Sequence, residues 1–236
     1  GSVGHMLRHA NLDLAVIITP HNTHAQLALK CLDAKVGVVV EKPMAITSKQ
    51  VKAMIAMSKR RKVMLSTFHN RRWDGDFILL RDLIQKEKMI GTVFRVEAGL
   101  GGYGKAPDWW RANKGVSGGA IYDWGAHFID WLLNVTPEKM VNITGFFHDL
   151  VWDDITNEDH VHGIIRFANG ASADIQMSQI AKVGKQRWRV LGSHGAITDG
   201  DGCFNVLSEL PDHPDSQEVK YEGRPGPSFY ENFVAH

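Results

Sequence analysis

Residues Leu12 to Pro43 read LDLAVIITPHNTHAQLALKCLDAKVGVVVEKP. This stretch opens with an apolar run at 14–18, continues with a segment of helical period at 23–34, and returns to an apolar run at 36–40. Two buried strands on either side of an amphipathic helix are typical of a β-α-β unit, in which the strands lie parallel. The stretch therefore predicts an α/β fold.

The segments that follow Pro43 extend the same pattern. Ser48 is placed to cap a helix that continues through Arg61, and the apolar run at 63–67 predicts a third strand. Another amphipathic helix is expected over 77–88. The first part of the chain therefore predicts three strands of one parallel sheet.

The pattern changes after Gly91, where β-rich segments are joined by short turns. One helix is expected between them, over 118–134, and Asn169-Gly170 is a strong hairpin signal. This part predicts a mostly antiparallel sheet, so the fold class is α/β followed by α+β. The predicted strands are 92–98, 141–148, 160–167, 171–180 and 187–191.

Composition excludes several classes of protein. The 27 basic and 26 acidic residues nearly balance, which argues against a partner as negative as nucleic acid. The longest apolar runs are far shorter than the roughly 20 residues of a membrane-spanning helix, so no membrane partner is expected. Two cysteines are too few for a disulfide framework and fit a reducing cytoplasm.

Polar residues follow each of the three predicted strands. In open parallel sheets, ligands bind beyond the carboxyl ends of the strands, because the loops converge there. Ordinary turn chemistry explains any one such loop, but three together favour a binding site. The loops are Thr19-Pro20-His21-Asn22-Thr23-His24, Glu41-Lys42-Pro43 and Phe68-His69-Asn70-Arg71-Arg72.

These loops belong to a longer series of motifs: Thr19-Pro20-x-x-x-His24, Glu41-Lys42-Pro43, Asn70-Arg71-Arg72, Trp110-Arg111, Gly118-Gly119 and Asp123-x-x-x-His127-x-x-Asp130. In order and spacing the series resembles the Gfo/Idh/MocA family, the relatives of glucose–fructose oxidoreductase and inositol dehydrogenase. The resemblance runs from about Leu12 to Phe233. Glu-Lys-Pro alone is a weak signal, and its combination with the Asp-x-x-x-His segment is specific.

The change of pattern places the domain boundary near Asp74 to Gly91, so the predicted domains are 7–80 and 81–236. The resemblance implies that the first is a partial dinucleotide-binding Rossmann domain and the second a substrate-binding and oligomerisation domain with a large, mostly antiparallel open sheet. It implies NAD or NADP as cofactor and a sugar, cyclitol or related polyol as substrate, and a cis Lys42-Pro43 bond would fit the family. By position it assigns catalytic roles to Lys42, Asp123 and His127. It places the following near the cofactor: Thr19, Pro20, Asn22, His24, Glu41, Lys42, Arg71, Trp110 and Arg111.

The chemistry of the residues agrees with those roles. Hydride transfer from a secondary alcohol needs a base for the hydroxyl proton, and an imidazole such as that of His127 titrates near neutral pH. Lys42 would serve as that base only if burial or the cationic nicotinamide ring favoured loss of its proton, and would otherwise hold the substrate oxygen by charge and hydrogen bonding. Asp123 and His127, at i and i+4 of the predicted helix, would share a face with Asp130. A local helix pair is the structural alternative.

Two rival sites need weighing. Asp123, His127 and Asp130 could bind a divalent cation, and Asp159, His160 and His162 form a second such cluster, but neither has a recognised zinc spacing, so no metal is expected. The segment 99–104 satisfies Gly-x-Gly-x-x-Gly literally. No helix is predicted after it to receive a pyrophosphate, so it is interpreted as a loop beside the substrate.

Several expectations concern the whole protein. About the first six residues resemble a vector remnant, and the chain is expected to lack the glycine-rich start of the Rossmann domain and the C-terminal end. Weak cofactor binding follows. The competing functions are a non-catalytic sugar- or protein-binding sensor or scaffold, and an NAD-dependent glycoside hydrolase. A homodimer or homotetramer is expected through an open sheet face bearing Ile164, Phe167, Ile175 and Met177.

Overall fold

The computed structural model describes residues 2–223 and 228–235. Its helices are α1 (Val3–His9), α2 (His24–Asp33), α3 (Ser48–Arg61), α4 (Gly75–Gln85), α5 (Lys114–Ser117), α6 (Gly125–Val135) and α7 (Phe229–Ala235). Its strands are β1 (Leu14–Ile17), β2 (Gly37–Glu41), β3 (Leu65–Phe68), β4 (Val93–Gly101), β5 (Met140–His148), β6 (His160–Phe167), β7 (Ser172–Ser178), β8 (Trp188–Gly192), β9 (Gly195–Asp199), β10 (Cys203–Ser208) and β11 (Ser216–Lys220).

The chain divides into two compact units. The first contains the residues up to His69 together with Pro107–Ala126 and Asp154–Asn157. The second contains Asn70–Ala106, His127–Asp153 and the remainder from Glu158. Among the described residues, every helix is too short or too polar to cross a lipid bilayer.

The first unit is built on the parallel sheet β1-β2-β3, which confirms the predicted β-α-β pattern. Valines of β2 are fully buried because helices pack over this strand, as expected for a parallel strand in an apolar run. Leu32 of α2 and Met54 of α3 complete the core, each with no exposed surface. The sheet thus fixes the loops that follow its strands.

Local details of the first unit differ from the prediction. The cap of α3 is Thr47 rather than Ser48, since Thr47 and Gln50 form a reciprocal capping box. The first residues, interpreted as a vector remnant, form α1, whose Val3 and Leu7 pack against the core. A β-α-β pattern does not reveal a short helix that precedes it.

The second unit is an eight-stranded sheet of order β11-β10-β9-β8-β4-β7-β6-β5. All neighbouring pairs are antiparallel except β4 with β7, which confirms a large, mostly antiparallel sheet. Trp131 of α6 lies 5.3 Å from Trp188 of β8 and stacks at 5.7 Å on Phe77 of α4, measured between ring centroids. These aromatic contacts hold α4 and α6 on one face of the sheet.

The predicted open face was wrong in its residues. Phe167, Ile175 and Met177 are buried, whereas Ile164 is 38% exposed. Alternation along β6 sends Ile164 and Phe167 to opposite faces, and Ile164 pairs in register with Asp174 on the open side. The open face therefore carries Ile164 beside charged residues, and the other three residues belong to the core.

The predicted helix over 118–134 is interrupted. Gly118 and Gly119 have φ of 94° and 122°, a region that favours glycine and ends α5. A 3-10 turn follows at Ala120–Tyr122, and α6 begins only at Gly125. Asp123 therefore precedes the helix, so the expected i, i+4 pair with His127 within one helix was wrong.

Other turn predictions had mixed outcomes. The hairpin at Asn169-Gly170 is confirmed between β6 and β7, although only Gly170 has positive φ, so the turn is not type I′. The glycine-rich segment 99–104 is only partly a loop, because its first three residues extend β4 in register with β7. The N–H groups of Gly102 and Gly104 donate to the carbonyls of Ser178 and Gln179, and no helix begins at Gly104. The strands β9, β10 and β11 were not predicted. The segment Phe229–Ala235 forms α7.

Gly192 offers a test of the close packing at the β8–β9 hairpin. A Cβ at this position would lie 2.1 Å from the carbonyl oxygen of Ile90, a backbone atom that cannot rotate away. Gly192→Ala should therefore lower the free energy of unfolding by about 2 kcal/mol or more in denaturant titration. Gly102→Ala is the matched control, because no heavy atom lies within 4 Å of its added Cβ. Equal stability of the two variants would contradict this packing.

Candidate functional site

The loops after β1 and β2 are tied together by a buried histidine. The Nδ1 of His24 lies 2.8 Å from the carbonyl oxygen of Pro43, and its Nε2 lies 2.8 Å from that of Thr19. Thr19 also shares a 2.7 Å hydroxyl hydrogen bond with Thr23, which donates to the carbonyl of Pro20. The fully buried ring of His24 thus fixes two loops that the sequence predicted to converge.

The second loop presents Lys42 at the end of β2. The Lys42-Pro43 peptide bond is cis, as the resemblance suggested. The backbone N–H of Lys42 donates to Oε2 of Glu41 over 3.0 Å. Asn22, also predicted near the cofactor, is exposed in the 3-10 turn His21–Thr23.

The centre of the first unit's site is a carboxylate between two cations. Oδ1 of Asp123 lies 2.6 Å from Nζ of Lys42 and 2.6 Å from Nη1 of Arg111. Burial opposes ionisation of Asp123, but Lys42 and Arg111 outweigh it, and the pKa of the carboxyl lies below its ordinary value. The structure therefore brings together three of the predicted site residues, with Asp123 as the shared anion.

Two tryptophans flank Arg111. Its guanidinium carbon lies 4.7 Å from the ring centroid of Trp110 and 5.1 Å from that of Trp109. Cation–π attraction at this range helps hold the guanidinium beside Asp123. Trp109 remains 49% exposed, so its ring offers an open aromatic surface at the edge of this cluster.

His21 is a site residue that the prediction missed. Its Nδ1 lies 2.7 Å from the carbonyl oxygen of Ser117, and its ring meets that of Trp110 edge-on at 4.7 Å. A carbonyl can only accept, so Nδ1 carries the proton and Nε2 is left as an acceptor. That Nε2 is buried and has no hydrogen-bond partner. Burial, aided by the nearby cations Arg111 and Lys42, lowers the pKa of His21 to about 4.

A neutral hydrogen-bond network supports this cluster. Ser117 Oγ donates to Asn157 Oδ1 over 3.0 Å, and the Asn157 amide donates to the Arg111 carbonyl. The hydroxyl of Tyr122 donates to the carbonyl of Ile46 over 2.8 Å, which ties the turn before Asp123 to the segment after Pro43. These partners are far apart in sequence, so no local pattern could have indicated them.

The remaining predicted residues lie in the second unit. Arg71 pairs with Asp74 at 2.9 Å, and its carbonyl accepts from the indole of Trp131. His127 is 3% exposed, with its ring 6.0 Å from that of Trp131. Asp130 forms a bidentate pair with Arg72 at 2.8 and 2.5 Å. Asp130 is therefore held by an arginine of its own unit.

Neither proposed metal cluster is assembled. Within residues 2–223 and 228–235, no three His, Cys, Asp or Glu side chains are grouped so that they could hold a metal ion. In the second cluster, His162 pairs with Asp174 at 2.5 Å, and Oδ2 of Asp159 accepts backbone N–H groups of Leu150 and Val151.

Comparison with known families matches both parts of the chain. The model described as oxidoreductase family, NAD-binding Rossmann fold, matches residues 2–69. The model described as GFO/IDH/MocA C-terminal domain matches residues 77–198, more than half of the chain.

Individual relatives agree with these matches. The chain is 39% identical to the uncharacterized oxidoreductase YdgJ of Escherichia coli K12 over 53% of its own length and 36% of that protein. It is 30% identical to myo-inositol 2-dehydrogenase of Thermotoga maritima over 81% of its length and 58% of that enzyme. It therefore spans only part of the curated relatives it matches.

A solved structure shows the same fold. An NAD-binding protein from Listeria innocua superposes with a TM-score of 0.85 and 29% identity, covering 99% of this chain and 71% of that one. The order of elements and the cis Lys42-Pro43 bond agree with the family that the two models indicate. The chain belongs to the Gfo/Idh/MocA family of oxidoreductases, with an NAD-binding Rossmann fold in its first part.

Proposed function

We propose that the protein transfers a hydride between a nicotinamide cofactor, NAD or NADP, and a secondary hydroxyl or carbonyl group of a polyol. The observation that carries the proposal is the Lys42–Asp123–Arg111 cluster beside the loops that follow parallel strands. In such sheets a dinucleotide binds at the carboxyl ends of the strands. Residues 7–80 would form the cofactor domain and 81–236 the substrate and oligomerisation domain.

The polar groups of the first unit fit the nicotinamide end of such a cofactor. Nε2 of His21 has no hydrogen-bond partner, so it can accept a hydrogen bond from an amide N–H or from a hydroxyl O–H. We propose Thr19, Pro20, Asn22, His24, Glu41, Trp110 and Arg111 of the first unit as cofactor-binding residues, and Arg71 of the second unit as a further candidate. When bound, the nicotinamide supplies the acceptor or donor of the hydride.

Lys42 would orient the reacting oxygen. The Lys42 side chain is 12% exposed. Its ammonium group donates to the carboxylate and to the carbonyl oxygen of Asp123, at 2.6 and 3.2 Å. A fixed positive charge stabilises negative charge that develops on a substrate oxygen. Asp123 thereby acts as the orienting anion, and the imidazole of His127 is proposed as the group that exchanges the hydroxyl proton.

The names of relatives support the substrate class. Curated relatives include myo-inositol 2-dehydrogenase of Thermotoga maritima, 30% identical, and D-xylose 1-dehydrogenase (NADP(+)) of Hypocrea jecorina, 30% identical. These proteins are named for a cyclitol and a sugar, and both ligands carry several hydroxyl groups. We accordingly propose a sugar, cyclitol or related polyol as substrate and the cytoplasm as the location.

Self-association through the open face of the second unit's sheet forms part of the proposal. Phe146 is 45% exposed and stacks on His162, next to Ile164 on the same face. The neighbouring charges are already paired within the chain: Glu97 with Arg189 at 2.9 Å and Asp174 with Lys185. Because paired charges lose less on burial than isolated ones, a second copy could cover this face in a dimer or tetramer.

Replacement of Lys42 tests the catalytic assignment. Lys42→Met keeps much of the side-chain length but removes the charge, so kcat on the best polyol should fall at least about 100-fold, followed by NADH or NADPH absorbance. Lys52→Met is the control, since Lys52 is exposed on α3 and should keep full turnover. Turnover unchanged by Lys42→Met would sink the assignment, and a folded chain inactive on every polyol would favour a sensor.

The state of His21 gives a pH prediction. Its pKa is about 4 in the folded protein and about 6.5 when unfolded, so the unfolded chain binds more protons between these values. The contribution of neutral His21 to the free energy of unfolding is fully present above pH about 6.5. This contribution, about 3 kcal/mol in all, is lost as the pH falls towards 4. In denaturant titrations across this range, His21→Gln should reduce the loss, because it keeps an amide donor but cannot titrate. Parallel curves for both proteins would refute a neutral His21.

Sedimentation tests the open face. Ile164→Glu places an unpaired charge in the proposed interface, so the dissociation constant of the oligomer should rise at least about 100-fold. Val183→Glu is the control, because Val183 is 87% exposed outside the strands. A shift of the same size in both variants, or in neither, would exclude this face as the interface.

A further inference from the structure

The two edge strands of the second unit's sheet, β5 and β11, differ in their protection against pairing with another chain. An edge strand leaves backbone N–H and C=O groups without partners, so native proteins protect it with charges, proline, bulges or short length. β11 has only five residues, and they include Glu218 and Lys220. β5 has nine residues, Met140–His148, with no Asp, Glu, Lys, Arg or Pro among them. β5 therefore lacks the protection that β11 has.

β5 is also uncovered on both of its faces. Every residue of the strand after Met140 is exposed. On the face opposite the open face, Ile143 is 50% exposed and Phe147 is 52% exposed. Their neighbours across β6, Ile165 and Val161, are fully buried. The layer that covers this face thus ends before β5, and among the described residues only β6 pairs with β5.

The one bulge in β5 lies at its start. The register with β6 shifts between Met140 and Asn142, and the pairing is regular from Asn142 to His148. A bulge protects an edge strand because it bends and twists the strand away from a partner. Here the bulge leaves a regular run of seven residues, 142–148, without this protection.

This run is complementary to a second copy of itself. Antiparallel pairing about Gly145 sets Ile143 of each copy opposite Phe147 of the other, and Thr144 opposite Phe146. Because side chains alternate along a strand, the first pair lies on the face opposite the open face and the second on the open face. Each is a pair of a β-branched and an aromatic residue, which is among the cross-strand pairs that stabilise a sheet. The twofold relation forms each pair twice.

The centre and the ends of this register offer no repulsion. Gly145 meets its own copy at the centre, where no side chains can collide. Asn142 falls opposite His148, so no two carboxylates and no two ammonium or guanidinium groups face each other. The same arrangement of β11 about its middle residue, Glu218, would set two carboxylates directly opposite each other. The chemistry of β5 thus fits a second copy, and that of β11 does not.

We propose that β5 pairs antiparallel with β5 of a second copy of this chain, so that two eight-stranded sheets join edge to edge. This interface extends each sheet in its own plane, whereas association through the open face stacks one sheet on another. The two interfaces use different twofold axes, and together they would build a tetramer. The edge interface depends neither on hydride transfer nor on the open face, so its failure is measured separately.

Lysine substitutions on β5 test the edge interface. Ile143→Lys and Phe147→Lys each place a charge in the paired strand but leave the open face unchanged, because both side chains lie on the opposite face. Sedimentation of the full chain, in the parent and in the Ile164→Glu background, should show that each raises the dissociation constant of the edge-paired dimer at least about 30-fold. Gln217→Lys, on β11, is the matched control and should leave this constant unchanged.

Hydrogen exchange supplies the second measurement. Amides of β5 should exchange at least about tenfold more slowly at a concentration at which the chain associates than at one at which it is monomeric, and amides of β11 should not change. A monomeric Ile164→Glu chain would overturn the proposal. So would association that both β5 lysine variants leave unchanged at full fold stability, or protection of β5 that does not depend on concentration, because β5 would then be covered within one chain.

Discussion

The ion pair between Lys42 Nζ and Asp123 Oδ1, 2.6 Å apart, is the interaction on which the candidate site depends. A partly buried ammonium group needs a counter-charge, and the nearest carboxylate in space comes from a residue 81 positions later. The chain must therefore return to the end of β2 after leaving the first sheet. Arg111 makes the same demand from the segment before Asp123.

Neutral hydrogen bonds make that return specific. Opposite charges attract over several ångströms in any orientation, whereas the bonds from Tyr122 to Ile46 and from His21 to Ser117 each require one geometry. Asn157 adds a further segment by bonding to both Ser117 and Arg111. The charges bring the segments together, and the directional bonds decide how they are oriented.

The sequence predicted the features that depend on local hydrophobic periodicity. It did not predict those that depend on contacts between residues far apart in the chain. Apolar runs located β1 and β2, and the motif order placed Lys42 and Asp123 in one site. The helix around Asp123 was extended too far because positive φ at Gly118 cannot be read from apolar spacing. His21 was missed because its partner lies 96 residues away. The face of Ile164 was predictable from strand alternation, since an odd separation from Phe167 reverses the side.

Charged and neutral polar groups of the candidate site differ in whether they have partners. The single carboxylate of Asp123 is shared by Lys42 and Arg111, so these three side chains together keep one positive charge. The neutral Nε2 of His21, in contrast, is buried without a hydrogen-bond partner. Leaving a buried neutral atom without a hydrogen bond costs far less than leaving a buried charge without a counter-charge, so the ion pairs of Asp123 constrain this unit more than the unpartnered imidazole nitrogen does.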